Sequence, residues 1–187
     1  MAEGPSPRAR QIVAAGRALL EEEGPAGLSM RRVAERVGVR AASLYKHLPD
    51  KAALEAAIIS QGFAELADAF AAAAGGGEPL AAIGAAYRRF AAGHPHLYRL
   101  MTERPLPREL LDPGVEARAA APLVAAAGGD ADLARAAWAF AHGMTILELT
   151  GRFPPGADLD AAWRAGVAAL SAAGPAPPAG APGGPSA

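Results

Sequence analysis

Apolar residues recur every three or four positions through the first third of the chain and predict three helices. The first spans residues 8–23 and ends at a Gly-Pro pair. The second follows Ser29, a favourable N-cap residue, and ends before a glycine at position 38. The third has Leu44 and Leu48 on one face and ends at a Pro-Asp pair. Three helices with a glycine-bearing turn between the last two are typical of a helix-turn-helix unit.

Helical spacing continues beyond this unit and predicts that the rest of the core is helical as well. The stretch over 102–129 is the exception, because prolines and glycines interrupt it and no clear element emerges. No stretch alternates between apolar and polar residues as a strand does, so the predicted fold class is all-α. The further helices are expected over 51–74, over 78–92, from the His-Pro pair at 94–95 to 101, after an N-cap at Asp130 and after an N-cap at Asp158.

These elements divide the chain into four parts. We expect a flexible N-terminus over 1–7. Next we predict a three-helix helix-turn-helix domain over 8–53, called the head, and a helical domain over 54–173, called the bundle. The Pro-, Gly- and Ala-rich tail over 174–187 has no core-forming residue and is expected to be disordered.

Charge is distributed unevenly between these parts. The whole chain has a net charge of −1, which alone argues against a nucleic-acid partner. Residues 1–53, however, hold nine basic and six acidic side chains, whereas 54–187 hold nine basic and thirteen acidic ones. A basic head on an acidic body favours an anionic partner for the head only.

The sequence offers little support for an enzyme, a metal site or a membrane protein. There is no cysteine, which excludes disulfides and thiolate zinc sites. His94 and His96 lack metal-ligand spacing, and we expect no metal and no cofactor. Neither a nucleophile elbow nor a phosphate-binding loop is present. No apolar run could span a bilayer and no signal peptide opens the chain, so a cytoplasmic protein without membrane contact is expected.

The third predicted helix, over 40–48, has the side chains best suited to read DNA. Hydroxyl, ammonium and imidazole donors suit phosphate oxygens, and Lys51 at the start of the next helix can reach another phosphate. Arg40 and Ser43, near the helix start, are placed to meet base edges. A short helix with a solvated polar face would show the same pattern. With Leu44 and Leu48 facing inward, the residues expected on outer faces are Ala41, Ser43, Tyr45, Lys46 and His47.

The exact sequence of this region favours a DNA-reading helix over a short helix with a solvated polar face. The "VAERVGV" turn, the "SLYKHL" helix and Lys51 together resemble the DNA-binding domain of TetR-family transcriptional regulators. The resemblance covers about the first third of the chain and implies contacts to the DNA backbone from Tyr45, His47 and Lys51. Alanines stand at 41 and 42, where relatives have polar residues that contact bases. The resemblance therefore implies no operator sequence. The candidates at or near base-reading positions are Arg31, Arg40, Ala41, Ser43 and Lys46, and Ser29 at the cap of the second helix completes the DNA-binding set.

The second half also resembles this family. The segments over 138–143 and 94–101 are similar to the "WHG" type of TetR ligand-binding domain. This resemblance implies an effector domain whose last two long helices form a homodimer interface. Packing within one subunit would explain the same apolar stripes. The residues expected to line an effector pocket are Phe90, Tyr98, Met101, Trp138 and His142, which favour a small and largely apolar organic effector.

Together these expectations describe a cytoplasmic homodimeric DNA-binding regulator, a repressor that leaves a palindromic operator when a small molecule binds. One alternative keeps the same head in an activator or an effector-independent regulator, and a solid bundle core favours it. A second alternative is a helical protein-interaction module, which predicts no salt-dependent binding to duplex DNA.

Overall fold

The computed structural model describes residues 6–75 and 77–173, and in these ranges the predicted all-α fold is confirmed. No strand occurs in either range. The residues 1–5 of the predicted flexible N-terminus and the predicted tail over 174–187 lie outside them. The helices are α1 (Pro7–Glu23), α2 (Met30–Arg36), α3 (Ala41–Leu44), α4 (Lys51–Ala73), α5 (Pro79–Gly93), α6 (Pro95–Thr102), a 3-10 turn (Arg108–Leu110), α7 (Val115–Ala126), α8 (Ala131–Leu149) and α9 (Leu159–Ala173).

The N-terminal boundary differs from the expected flexible stretch over 1–7. Ser6 is the N-cap of α1, and its hydroxyl accepts a hydrogen bond from the backbone N–H of Ala9 at 3.1 Å. Pro7 occupies the first helical position, where its missing N–H costs nothing because that group has no partner within a helix. The ordered chain therefore begins before residue 8.

The stretch over 102–129 contains a helix that the sequence pattern does not reveal. Gly114 precedes α7 with a φ of +77°, a conformation that favours glycine. Only Val115 and Ala119 of this helix are buried, so its apolar stripe is short. Pro122 lies inside the helix and removes one backbone donor. Large apolar residues do not predict α7, because the helix is rich in alanine and contains a proline.

The head packs around one small set of apolar side chains. Ile12 and Leu20 of α1, Val33 of α2 and Leu44 of α3 are all almost fully buried. The turn between α2 and α3 passes through Gly38 with a φ of +70°. The backbone N–H of the next residue then donates to the carbonyl of Ala34 at 2.9 Å. These contacts fix α3 on the surface of the head, with one side buried.

Helix α4 belongs to both the head and the bundle. Its N-terminal turn is capped by Asp50, which accepts a hydrogen bond from the N–H of Ala53 at 2.8 Å. Leu54 is fully buried against α1 at Gly16, where a Cβ would lie only 3.0 Å from the leucine methyl. Farther along, α4 packs on α5, α6 and α7. A movement of α4 would therefore change contacts in both the head and the bundle.

A polar network joins the head to the bundle beside α4. The guanidinium of Arg17 on α1 contacts Glu21 at 3.1 Å and Glu65 on α4 at 3.3 Å. The Nδ1 atom of His94, between α5 and α6, lies 3.2 Å from the same Glu21 carboxylate. The Arg17 side chain is largely buried, which makes this network part of the packed junction rather than a surface pair.

Polar contacts hold the last helix, α9, against α5 and α8. The indole N–H of Trp163 donates to Glu148, and Arg88 reaches Glu148 at 2.8 Å and Asp160 at 2.6 Å. The hydrogen bond from Arg88 lowers the pKa of Asp160. The ring of Phe140 packs where Gly166 has no side chain, as expected for a glycine that allows close approach. No helix in the described ranges is long and apolar enough to cross a membrane.

Candidate nucleic-acid interface

Helix α3 and the turn after it present the predicted DNA-reading residues on the surface of the head. Leu44 is buried and anchors the element. Tyr45 has an exposed fraction of 50%, unusual for a large aromatic side chain, and so its ring and hydroxyl are open to a partner. Lys46 and His47 follow it in an exposed turn, and Ser43 is exposed one position before Leu44. Four hydrogen-bonding side chains thus surround a single buried leucine.

The alanines of α3 are placed differently from the expectation. Ala41 is only partly exposed and packs against the head core, because it lies one helical turn before Leu44 and shares its inward side. This corrects its expected outward placement. Ala42 is exposed instead and is the residue of the pair that faces solvent.

The remaining predicted contacts flank α3 on both sides. Arg40 is the exposed residue immediately before the helix, and Ser29 is half-buried as the N-cap of α2, accepting from the N–H of Arg32 at 3.4 Å. Arg31 extends from α2 with its guanidinium 3.9 Å from Glu35. Lys51 opens α4. Contacts between α2 and α3 bring the predicted residues of these two helices close together, and Lys51 follows α3 in the chain.

Two of the basic side chains of the head form ion pairs within the head, between α2 and α1. Arg32 and Arg36 on α2 form paired hydrogen bonds with Glu23 and Glu22 at the end of α1. The hydrogen bond from Arg36 lowers the pKa of Glu22, and the hydrogen bond to Glu23 raises the pKa of Arg32. These two arginines stabilise the contact between α1 and α2. The cations without an ion pair among the described residues of α3 and its flanks are Arg40 and Lys46.

The predicted effector residues are only partly brought together. Tyr98 and His142 form a hydrogen bond of 2.6 Å between the phenol oxygen and Nδ1, and Trp138 lies beside His142 with ring centroids 6.4 Å apart. Phe90 instead stacks near His94 at the side of the bundle that faces the head. Met101 lies against α4 at Gly62, where it fills the space that a Cβ would take.

One further tyrosine completes this cluster and was not predicted. The hydroxyl of Tyr87 lies 3.1 Å from that of Tyr98, and burial raises the pKa of both phenols. Tyr87 shares helical spacing with Ile83 and Phe90, so its sequence position indicates only a core residue. Its polar role depends on the contact between α5 and α6.

The enclosed space beside this cluster is small. A cavity of about 20 Å³ lies between α5, α8 and α9, with apolar walls that include Phe140 and Trp163, and of the five predicted effector residues it touches only Trp138. That volume holds about one water molecule, whereas ligand sites usually occupy several hundred Å³. A separate open groove of about 960 Å³ lies on the outside, with Arg89 and Arg164 on its edges. No cluster of three or more metal-ligating side chains occurs in the described ranges.

Two family models match the two parts of the chain. Residues 12–58 match the model described as "Bacterial regulatory proteins, tetR family". Residues 80–170 match "Tetracyclin repressor-like, C-terminal domain". The chain belongs to the TetR family of transcriptional regulators. The resemblance found in the sequence is thus confirmed for both halves, and with it a transcriptional regulator that has a DNA-binding domain. Regulators of this family are generally not enzymes.

Solved structures agree with the TetR fold. A protein of unknown function from Rhodococcus sp. RHA1 is 25% identical, with 93% of this chain and 98% of that chain covered at a TM-score of 0.74. A possible TetR family transcriptional regulator from Streptomyces coelicolor A3(2) is 22% identical, with coverages of 88% and 97% and a TM-score of 0.67. A TetR variant from Acinetobacter baumannii AYE, in complex with minocycline, is 24% identical, with coverages of 87% and 93% and a TM-score of 0.60. No curated protein matches the chain.

Proposed function

We propose that this TetR-family protein is a cytoplasmic, non-enzymatic repressor that binds a palindromic operator as a homodimer and is released by a small organic effector. The observation that carries the DNA-binding part is the group of exposed donors around Leu44, above all the half-exposed Tyr45. An exposed tyrosine beside lysine and histidine has hydrogen-bond donors for phosphate oxygens. Arg40 adds a long cationic fork at the start of α3, suited to guanine.

Dimerisation through α8 and α9 is supported by their outward faces. On the side away from the bundle core, both helices have uncharged and mostly small residues at helical spacing, and all of these but the half-buried Gly143 are exposed. At Gly143 no atom lies within 4 Å of where a Cβ would be, so a second helix has room to approach. Two antiparallel copies of such faces form a close-packed four-helix interface. The residues concerned are Ala136, Ala139, Gly143 and Leu147 on α8 and Ala162, Ala165 and Ala169 on α9.

Effector release is supported by family membership and by the minocycline complex of the Acinetobacter baumannii relative. In this protein an effector would enter beside Trp138, whose side chain is 52% exposed although it borders the small cavity. Because that cavity is far smaller than a ligand, binding would require Trp138 and Phe140 to move. The effector would then favour a bundle conformation that holds the two heads wrongly for DNA.

The packed core also favours a second candidate, an effector-independent regulator with the same head. A duplex-binding assay with minocycline and a panel of apolar organic molecules separates the two, with the fluorescence of Trp138 and Trp163, which both line the cavity, as a second readout. The repressor proposal predicts that at least one compound both shifts the fluorescence and releases the duplex. Unchanged binding and unchanged fluorescence across the panel would favour the effector-independent regulator.

Variants of the head should have separate effects on DNA affinity and on sequence specificity. Tyr45→Phe and Lys51→Ala should weaken binding to all duplexes alike, and Lys51→Ala should lower the slope of log affinity against log salt by about one. Arg40→Ala should instead reduce discrimination between preferred and other sequences by about 1–3 kcal/mol. Competition assays with specific and random duplexes measure both. Unchanged binding in all three variants would contradict the assignment of α3 as the DNA reader.

A further inference from the structure

Glu55 contacts one cation from the head and one from the bundle. It lies one helical turn after Lys51 on α4, and its Oε1 is 3.4 Å from the Lys51 ammonium. Its Oε2 is 3.9 Å from a guanidinium nitrogen of Arg104, in the loop that follows α6. The Glu55 side chain is 19% exposed, whereas the two cations are considerably more exposed. The carboxylate is thus the most buried member of the group, and both cations are open to solvent.

Arg104 differs in its partner from Arg99 on α6 and from Arg108 in the 3-10 turn. Arg99 is paired with Glu103 at 3.7 Å, and Arg108 is paired with Glu116 at 3.2 Å. Arg104 is the cation of this loop that reaches α4 at its N-terminal end. A displacement of α6 would therefore change what Glu55 contacts.

A carboxylate beside Lys51 opposes phosphate binding in two ways. It neutralises part of the ammonium charge in the free protein, and it repels a phosphate that approaches the same ammonium. A second cation on the other carboxylate oxygen reduces both effects. The number of cations at Glu55 therefore determines how much of the Lys51 charge is available to DNA.

We propose that Glu55 is a positioning residue that sets the DNA affinity of the head according to whether Arg104 is in contact with it. The inference rests on the proposed function, because Lys51 must bind a DNA phosphate. With Arg104 at Glu55, two cations share the carboxylate and more of the Lys51 charge is available to a phosphate. When the loop after α6 withdraws, Glu55 pairs with Lys51 alone and duplex affinity falls. The loop over 103–107 thereby links the conformation of the bundle to the charge of the head.

Affinity for duplex DNA, measured across a salt series for full-length variants, tests this inference. Glu55→Gln should raise affinity about two- to fivefold and Arg104→Ala should lower it by a similar factor, the range typical of exposed ion pairs. Arg108→Ala, an arginine of the same region paired elsewhere, is the matched control and should leave affinity unchanged. Thermal melts establish that each variant folds.

Double variants separate this mechanism from a structural role. Glu55→Gln should have no effect in a Lys51→Ala background, and Arg104→Ala should have none in a Glu55→Gln background. Equal effects in single and double variants would overturn the inference, as would unchanged affinity in both single variants while the wild type binds duplex. A wild type that binds no duplex at low salt would contradict the proposed function itself, and the inference with it.

Discussion

The double variant Ala139→Arg, Gly143→Arg is expected to be monomeric and to bind a palindromic duplex about 10²–10⁴-fold more weakly than the wild type. Ala139 is exposed on the outward face of α8, and a Cβ at Gly143 on the same face would have no atom within 4 Å. In the proposed dimer the same side chains would meet their symmetry mates across a close contact. Loss of the dimer removes the effective concentration by which one bound head assists the other.

The chain offers a matched control for this variant. Ala117 and Ala121 are exposed on α7 with the same four-residue spacing, away from the proposed interface. Ala117→Arg, Ala121→Arg adds the same charge and should remain dimeric with unchanged affinity. Sedimentation velocity gives the oligomeric state, and duplex titration gives the affinity. A double α8 variant that stays dimeric and binds normally would exclude this face as the interface.

Leu54→Ala is expected to have the largest effect on stability, about 2–5 kcal/mol of the free energy of unfolding. Leu54 is fully buried and packs against α1 where Gly16 brings the two helices close together, so the cavity left by alanine cannot collapse easily. For a chain of this size the melting temperature should fall by about 5–20 °C. Because α4 belongs to both parts, the head and the bundle should lose stability together.

The control for Leu54→Ala is the same change on the surface. Leu110 is 46% exposed, and Leu110→Ala should change stability by less than about 0.5 kcal/mol. Chemical denaturation followed by circular dichroism measures both variants. A Leu54→Ala protein as stable as the Leu110→Ala protein would mean that α4 does not join the head to the bundle through this contact.

The sequence predicted the head closely because its signals are local. Ser29 acts as the N-cap of α2 where expected, and Leu44 is the inward residue of α3. Helix α7 was missed because alanine gives little contrast between faces and Pro122 is normally read as a helix break. The start of α1 was placed too late, since Ser6 and Pro7 resemble a flexible lead until their capping role is seen.

The sequence did not show which cations of the head are open to a partner, because ion pairing depends on tertiary structure. The count over 1–53 includes Glu22 and Glu23 but does not show that they pair with Arg36 and Arg32 across the α1–α2 contact. No local pattern indicates which arginines face α1.

The sequence indicates only part of the packing around the residues expected to line an effector pocket. Tyr98, Trp138 and His142 come together from α6 and α8, and the family resemblance indicated these positions. Phe90 and Met101 are equally apolar, yet the crossing of α5 and α6 turns them toward the head and α4. Helical spacing indicates which face of a helix is buried, but it does not indicate which other helix packs against that face.

The central claim is that the head of this TetR-family protein reads duplex DNA as one half of a symmetric pair. The most direct test is selection of duplexes from a random pool by the purified protein, sequenced and repeated across a salt series. The account predicts enrichment of one inverted repeat whose half-sites are about one helical turn, or a multiple of it, apart, with affinity that falls as salt rises. No binding at low salt, or binding without any enriched sequence, would contradict it.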